Sequence, residues 1–204
     1  ENTLASKIVG SYESELHDVV EKICQTTYRQ ILDVGCAEGY YAIGLALRMP
    51  HTTVYAFDTD EYSRQICSNM SKLNNVQERV VIKEECTCQT LANFDFKEKS
   101  LVIADCEGYE WELFGPNCLN NLRCCDILVE LHETIRPGVT SRILSLFAPT
   151  HYIKVITTKD KPDNPYPELS GLDQEDRFAA LCDHRGSINE VLYMEWAWLK
   201  SKMT

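Results

Sequence analysis

One junction constrains this chain more than any other feature. The apolar run Gln30–Val34 (QILDV) meets Gly35, passes through Cys36, Ala37 and Glu38 to Gly39, and opens into the helical run Tyr40–Arg48. A buried strand, a tight turn with glycines four apart and a helix start fit an open α/β sheet, in which ligands bind just beyond the carboxyl ends of the strands. Gly35 can take a turn conformation that other residues resist, and its missing side chain lets a ligand approach the backbone. The helix start after Gly39 offers free N–H groups and the positive end of a dipole.

The same alternation recurs along the chain. Further strands are expected at Thr53–Phe57, Val80–Lys83, 101–104, 127–131, 152–157 and 193–199. Helices are expected at Glu61–Leu73 with Asp60 as N-cap, at 111–122 broken by Gly115-Pro116, and at 140–147. A leading helix over 2–24 places Ile8, Leu16, Val19, Val20 and Ile23 at helical spacing. Strands alternating with helices predict an α/β fold, a mostly parallel sheet covered on both faces. Residues 1–27 read as an N-terminal helical segment and 28–204 as the domain proper. The stretch 158–176 holds Pro162, Pro165 and Pro167 and breaks the rhythm, so it reads as a long surface loop of the kind that serves as a lid. Another helix is expected at 173–182.

Composition narrows the function. The chain has 204 residues, one domain's worth, and 20 Lys+Arg against 31 Asp+Glu give a net charge of −11. No Lys/Arg cluster forms the basic face that a nucleic-acid binder needs. The longest apolar stretch, around 40–47, is far short of the roughly 18 residues that span a bilayer. No basic start followed by an apolar run marks a secretory signal. Ten cysteines are many, but Cys86-Thr87-Cys88 is too tight and Cys124-Cys125 are adjacent, so neither has zinc-ligand spacing. They read as reduced, half-buried small apolar residues in a reducing cytoplasm.

The turn excludes two common nucleotide sites. A dinucleotide fingerprint needs a second glycine where Ala37 stands, and a P-loop needs a lysine after Gly39. That counts against a nicotinamide-dependent oxidoreductase. The second strand ends at Asp58, 23 positions beyond Gly35, where a carboxylate can accept two hydrogen bonds from a ribose diol. The fourth strand runs into Asp105-Cys106-Glu107-Gly108-Tyr109-Glu110, and the fifth ends Glu130-Leu131-His132-Glu133. Strand alternation puts Glu130 and His132 on one side. If these strands are neighbours, Asp105, Glu107, Glu130 and His132 converge on one rim, a candidate site with a physical rationale.

The pattern D-x-G-x-x-x-G at Asp33–Gly39 resembles motif I of the class I S-adenosylmethionine-dependent methyltransferases. DCEGYEWELFGP followed by DILVELH is similar to the FkbM-type branch, as is the G-x-x-E segment Gly10–Glu13. The match covers roughly residues 10–132. The resemblance implies a Rossmann-like seven-stranded sheet whose last strand is antiparallel, with S-adenosylmethionine as cofactor. By it, Gly35, Cys36, Ala37, Glu38 and Gly39 would wrap the methionine end of the cofactor, with Glu13 contributing from the preceding segment. Asp58 and Thr59 would hold the ribose, Cys86 and Thr87 would flank the adenine, and Asp105 and Cys106 would lie near the amino and sulfonium groups.

The expected reaction is O-methylation of a small-molecule acceptor such as a sugar or a polyketide, with neither nucleic acid nor membrane as partner. His132 is the first choice of general base and Glu107 the second. Against this stands a cofactor-binding module without catalysis. Asp105, Glu107, Glu130 and His132 also offer donors suited to a divalent metal, the less favoured addition. His151, Asp183, His184 and Arg185 are further polar candidates, and Tyr40, Tyr41 and Tyr109 could line an acceptor pocket. Met194, Trp196 and Trp198 alternate at strand period and read as packing. The acceptor's identity and the oligomeric state are not encoded legibly.

Overall fold

The computed structural model describes residues 4–97, 99–157, 166–181 and 195–203. Seven strands form one sheet: β1 Gln30–Val34, β2 Thr53–Phe57, β3 Val80–Lys83, β4 Ser100–Ala104, β5 Cys125–Leu131, β6 His151–Thr157 and β7 Glu195–Ser201. Their order is β3-β2-β1-β4-β5-β7-β6. The pairs β1/β2, β1/β4, β2/β3 and β4/β5 are parallel. β7 runs antiparallel between β5 and β6. The fold is thus the expected α/β one, a Rossmann-like seven-stranded sheet with the last strand antiparallel.

The helices are α1 Leu4–Val9, α2 His17–Cys24, α3 Tyr40–Arg48, α4 Glu61–Leu73, α5 Cys88–Asn93, α6 Glu110–Leu113, α7 Pro116–Leu122, α8 Val139–Phe147 and α9 Gln174–Leu181, with short 3₁₀ turns at Ser14–Leu16 and Pro167–Gly171. They cover both faces. β1 is buried throughout. Its Ile31 joins the core with Val19 and Ile23 of α2 and Ala42 of α3. Its Leu32 and Val34 point the other way, into a core with Phe114 and Phe147. That two-sided burial is why the strand reads as a continuous apolar run.

Two expectations need correction. The leading helix over 2–24 is not continuous. Gly10 (φ 79°) and Glu13 (φ 46°) are left-handed, and the N–H groups of Ser11 and Tyr12 both turn back to Ser6 O, so the chain breaks between α1 and α2. The stretch 158–176 is not loop throughout, because Gln174, Glu175 and Asp176 open α9; residues 158–165 lie outside the described residues.

The strand order reverses direction at β1, whose neighbours are β2 on one side and β4 on the other. This switch point opens a crevice at the carboxyl ends of β1 and β4, where an open α/β sheet receives ligands.

Candidate active site

The glycine turn after β1 is shaped by β4. Gly35 has φ 83°, and a Cβ there would lie 1.7 Å from the carbonyl oxygen of Asp105. Its bare Cα is therefore required by the close passage of the β4 exit, rather than by ligand approach alone. The N–H groups of Gly35 and Cys36 both donate to Phe57 O, at 2.9 and 3.0 Å, which ties the turn to the end of β2. Ala37 is left-handed at φ 45°. Gly39 (φ 95°) has no room for a side chain, since a Cβ would meet Cys67 Sγ of α4 at 2.7 Å.

Asp58, at the end of β2, closes this turn. Its Oδ2 accepts the Ala37 N–H at 2.8 Å, and its Oδ1 accepts the Asp60 N–H at 2.9 Å. Each oxygen retains a second lone-pair direction for a ligand hydroxyl. Asp60 caps α4, accepting from the N–H and hydroxyl of Ser63.

A cavity of about 420 Å³ lies between these elements. Gly35, Ala37, Asp58, Thr59, Cys86, Asp105, Cys106 and Glu107 line it, all of them residues the sequence nominates. Glu84, Glu85 and Tyr109 line it too. The two glutamates were missed, although an acidic pair directly after a strand was a readable signal. The remaining nominated residues do not line it. Cys36 is buried with its thiol against Cys67. Glu38 pairs with Lys7. Thr87 caps α5 through a reciprocal pair of hydrogen bonds with Thr90. Glu13 is buried and accepts the Tyr41 hydroxyl. Burial pushes the Cys86 thiol up to about 12, so it meets a ligand as a neutral group.

Beyond β4 the backbone makes an unusual bend. Glu107 (φ 51°) and Gly108 (φ 97°) are both left-handed. The bend returns the wholly buried Glu110 carboxylate over its own loop, where Oε1 accepts the Cys106 N–H at 3.0 Å. The same oxygen lies 2.8 Å from His132 Nδ1. A carboxylate can only accept here, so Nδ1 carries the proton, and in the neutral imidazole Nε2 presents its lone pair. His132 Nε2 stands 3.6 Å from Asp105 Oδ1, 3.6 Å from Glu107 Oε2 and 3.9 Å from Glu130 Oε2. The four residues expected on one rim are therefore brought together.

The electrostatics favour charge on this pair. Burial by itself would lower the His132 pKa, but the hydrogen bond and charge of Glu110, then Asp105 and Glu107, outweigh it and the net direction is upward. Burial would raise Glu110, yet His132 carries it below the usual carboxylate range. The rim expected from the strand ends did not include Glu110. The left-handed bend at Glu107–Gly108 is what brings Glu110 into range, and strand periodicity carries no sign of it.

Other candidates fall elsewhere. His151 is structural: Nε2 donates to Cys125 O at 2.9 Å and Nδ1 accepts the Thr150 hydroxyl at 2.8 Å. Trp198 packs against the core. Asp183, His184, Arg185 and Met194 lie outside the described residues, as does the side chain of Trp196. Tyr40 and Tyr41 stack edge to face, centroids 5.3 Å apart, on a second cavity of about 510 Å³ between α2 and α3.

Comparison with known proteins bears on this geometry. The family model Methyltransferase small domain matches residues 16–97, from the turn before α2 to beyond α5. No curated protein sequence matches the chain. Among solved structures, a candidate O-methyltransferase from Klebsiella pneumoniae is similar with a TM-score of 0.59 and 15% identity, over 93% of this chain and 80% of that one. The O-methyltransferase TomG from Streptomyces achromogenes, involved in tomaymycin synthesis and solved in complex with SAM, gives 0.57 and 14%, over 93% and 80%. Precorrin-6y C5,15-methyltransferase from Geobacter metallireducens gives 0.58 and 10%, over 92% and 88%.

The chain has the Rossmann-like methyltransferase fold. Within that fold the glycine turn Gly35–Gly39 is the bend between β1 and α3, Asp58 follows β2, and the acidic loop follows β4. The matched family model ends before β4, so the Asp105–Glu110 loop and His132 are characterised by their geometry in this chain. Among the described residues no helix is long and apolar enough to cross a membrane.

Proposed function

We propose that the chain is an S-adenosylmethionine-dependent methyltransferase that methylates a hydroxyl of a small molecule, such as a sugar or a polyketide. The observation that carries this reading is the cavity at the switch point. The glycine turn and the Asp58 carboxylate stand on one wall, and Asp105 and Glu107 on the other, with His132 behind them. The family model and the methyltransferase structures support methyl transfer from S-adenosylmethionine, and two of those structures are O-methyltransferases by name.

The residues present fit the cofactor. A volume of about 420 Å³ is within the usual range of small-molecule sites. The open lone pairs of Asp58 suit a ribose diol, with Thr59 beside it. Gly35, Ala37 and Asp105 would receive the methionine portion with Cys106. Cys86 would border the adenine, while Cys36, Glu38, Gly39 and Thr87 would support the turn and the adjoining helix from behind. When bound, S-adenosylmethionine supplies an electrophilic methyl group.

The chain's own task is then to align the acceptor and to take its proton. His132 Nε2 is the base, because Glu110 fixes the tautomer and the surrounding carboxylates stabilise the imidazolium that forms. Glu107, exposed and 3.6 Å away, is the second group that can take or relay the proton. The FkbM-type assignment rests on the DCEGYE and acidic-x-His strings and on Glu13. Cytoplasmic residence suits the nine described cysteines, which are free thiols.

Transfer of labelled methyl from S-adenosylmethionine into the small-molecule fraction of a cell extract tests the activity. A labelled methyl ether of a hydroxyl-bearing acceptor is expected. No transfer, with the cofactor still bound, would leave a binding module.

A further inference from the structure

Asp105, Glu107 and His132 each direct one donor atom into a cluster whose members all lie within 4.8 Å of one another. The 3.6 Å separations from His132 Nε2 to Asp105 Oδ1 and to Glu107 Oε2 are too long for hydrogen bonds. They suit a different occupant. Two donors 3.6 Å apart can both reach an ion at about 2.1–2.2 Å with an angle of about 110–120°, near the tetrahedral value.

A second observation points the same way. His132 has a side chain only 2% exposed, and its Nε2 is a buried atom without a hydrogen-bond partner; so is Asp105 Oδ1. Orphaned buried polar atoms are costly, and two facing each other across the gap call for something between them. Among the described residues, His132 is the only ionic partner of Asp105 and of Glu107. The anionic surroundings extend further, because Glu13, Asp105 and Glu130 form a second such group that shares Asp105. Carboxylates crowded into one site repel unless a proton or a cation lies among them. The Glu110 carboxylate on Nδ1 is the usual support of a metal-ligating imidazole, fixing the tautomer and the ring.

We propose that Asp105, Glu107 and His132 form a binding site for a divalent cation. One imidazole and two carboxylates select Mn²⁺ or Zn²⁺ over Mg²⁺ or Ca²⁺, which prefer all-oxygen sites. Glu107 is the exposed member, and since Asp105 and Glu107 also line the cavity, an ion between them would be open to an acceptor oxygen there. Only this consequence rests on the methyltransferase reading. In the ion-loaded chain the bound hydroxyl is acidified by the ion and His132 serves as a ligand; in the ion-free chain Nε2 is the base.

The test is titration of the cofactor-free protein with MnCl₂, followed by the electron paramagnetic resonance of free Mn²⁺. One saturable site per chain is expected, competed by ZnCl₂. Glu107→Gln, an exposed change that does not threaten folding, and His132→Ala should each weaken binding at least 10-fold. Absence of saturable Mn²⁺ and Zn²⁺ binding overturns the site, as does binding unchanged in both variants. Because no S-adenosylmethionine is present, a negative result leaves the methyltransferase reading standing.

Discussion

The backbone N–H of Ala37 donates to the carboxylate of Asp58 at 2.8 Å, so the bend after β1 and the end of β2 are held as one unit. The same carboxylate that organises the turn faces the cavity. Asp58→Ala should therefore weaken S-adenosylmethionine binding by about 10–100-fold, since hydrogen bonds to a charged group are worth about 1.5–3 kcal/mol. Asp58→Asn keeps an oxygen for the Ala37 N–H and should recover part of the loss. Calorimetric titration of both variants checks this, and equal affinity to the parent would remove Asp58 from the site.

Gly35 tests the strand crossing. A methyl group there would enter the Asp105 carbonyl, and the left-handed φ adds its own penalty. Gly35→Ala should cost about 4 kcal/mol or more, the exceptional range for a single substitution. A urea midpoint close to that of the parent protein would show that the β4 exit can move aside.

Glu110 touches no cavity surface and acts through His132. Glu110→Gln removes the charge that fixes the ring, and kcat should fall about 10²–10⁴-fold with little change in KM, the pattern of a lost base-orienting carboxylate. A change confined to KM, or to thermal stability, would make Glu110 a structural residue.

His151 sets a pH limit on stability. Burial holds its pKa below the ordinary value, against the opposing pull of the Cys125 carbonyl and Asp126. The unfolded chain therefore takes up a proton near pH 6.5 that the folded chain resists. Stability from this residue is present above that pH and is lost as pH falls through it. Urea midpoints at pH 7.5 and 5.5 should differ, and the difference should shrink in His151→Gln, which keeps a donor for Cys125 O. An unchanged difference would place the pH dependence elsewhere.

The fold was legible where packing and local chemistry agree. β1, β2, β3, α3 and α4 begin and end where the apolar runs and the Asp60 cap suggest, because helices cover both faces of the sheet and most strand positions are apolar. α5 left no trace in the pattern: of its six residues only Leu91 is fully buried, and its capping box uses Thr90 where a Glu or Gln would have signalled it. The break at Gly10 and the bend at Glu107–Gly108 depend on left-handed backbone at Glu13 and Glu107, residue types that seldom adopt it. The site divides the same way. The turn, Asp58 and the convergence of Asp105, Glu107, Glu130 and His132 follow from strand ends, as does the acidic pair Glu84–Glu85 just after β3, whereas the place of Glu110 follows from a loop path that no periodicity encodes.

On the reading proposed above, the crevice between β1 and β4 receives an adenosyl sulfonium cofactor. Calorimetric titration of the protein with S-adenosylmethionine, S-adenosylhomocysteine and NAD addresses it most directly. One site per chain is expected for each of the first two, weakened by Asp58→Ala, and none for NAD; no heat with S-adenosylmethionine, or saturable binding of NAD instead, would refute a cofactor site in this crevice.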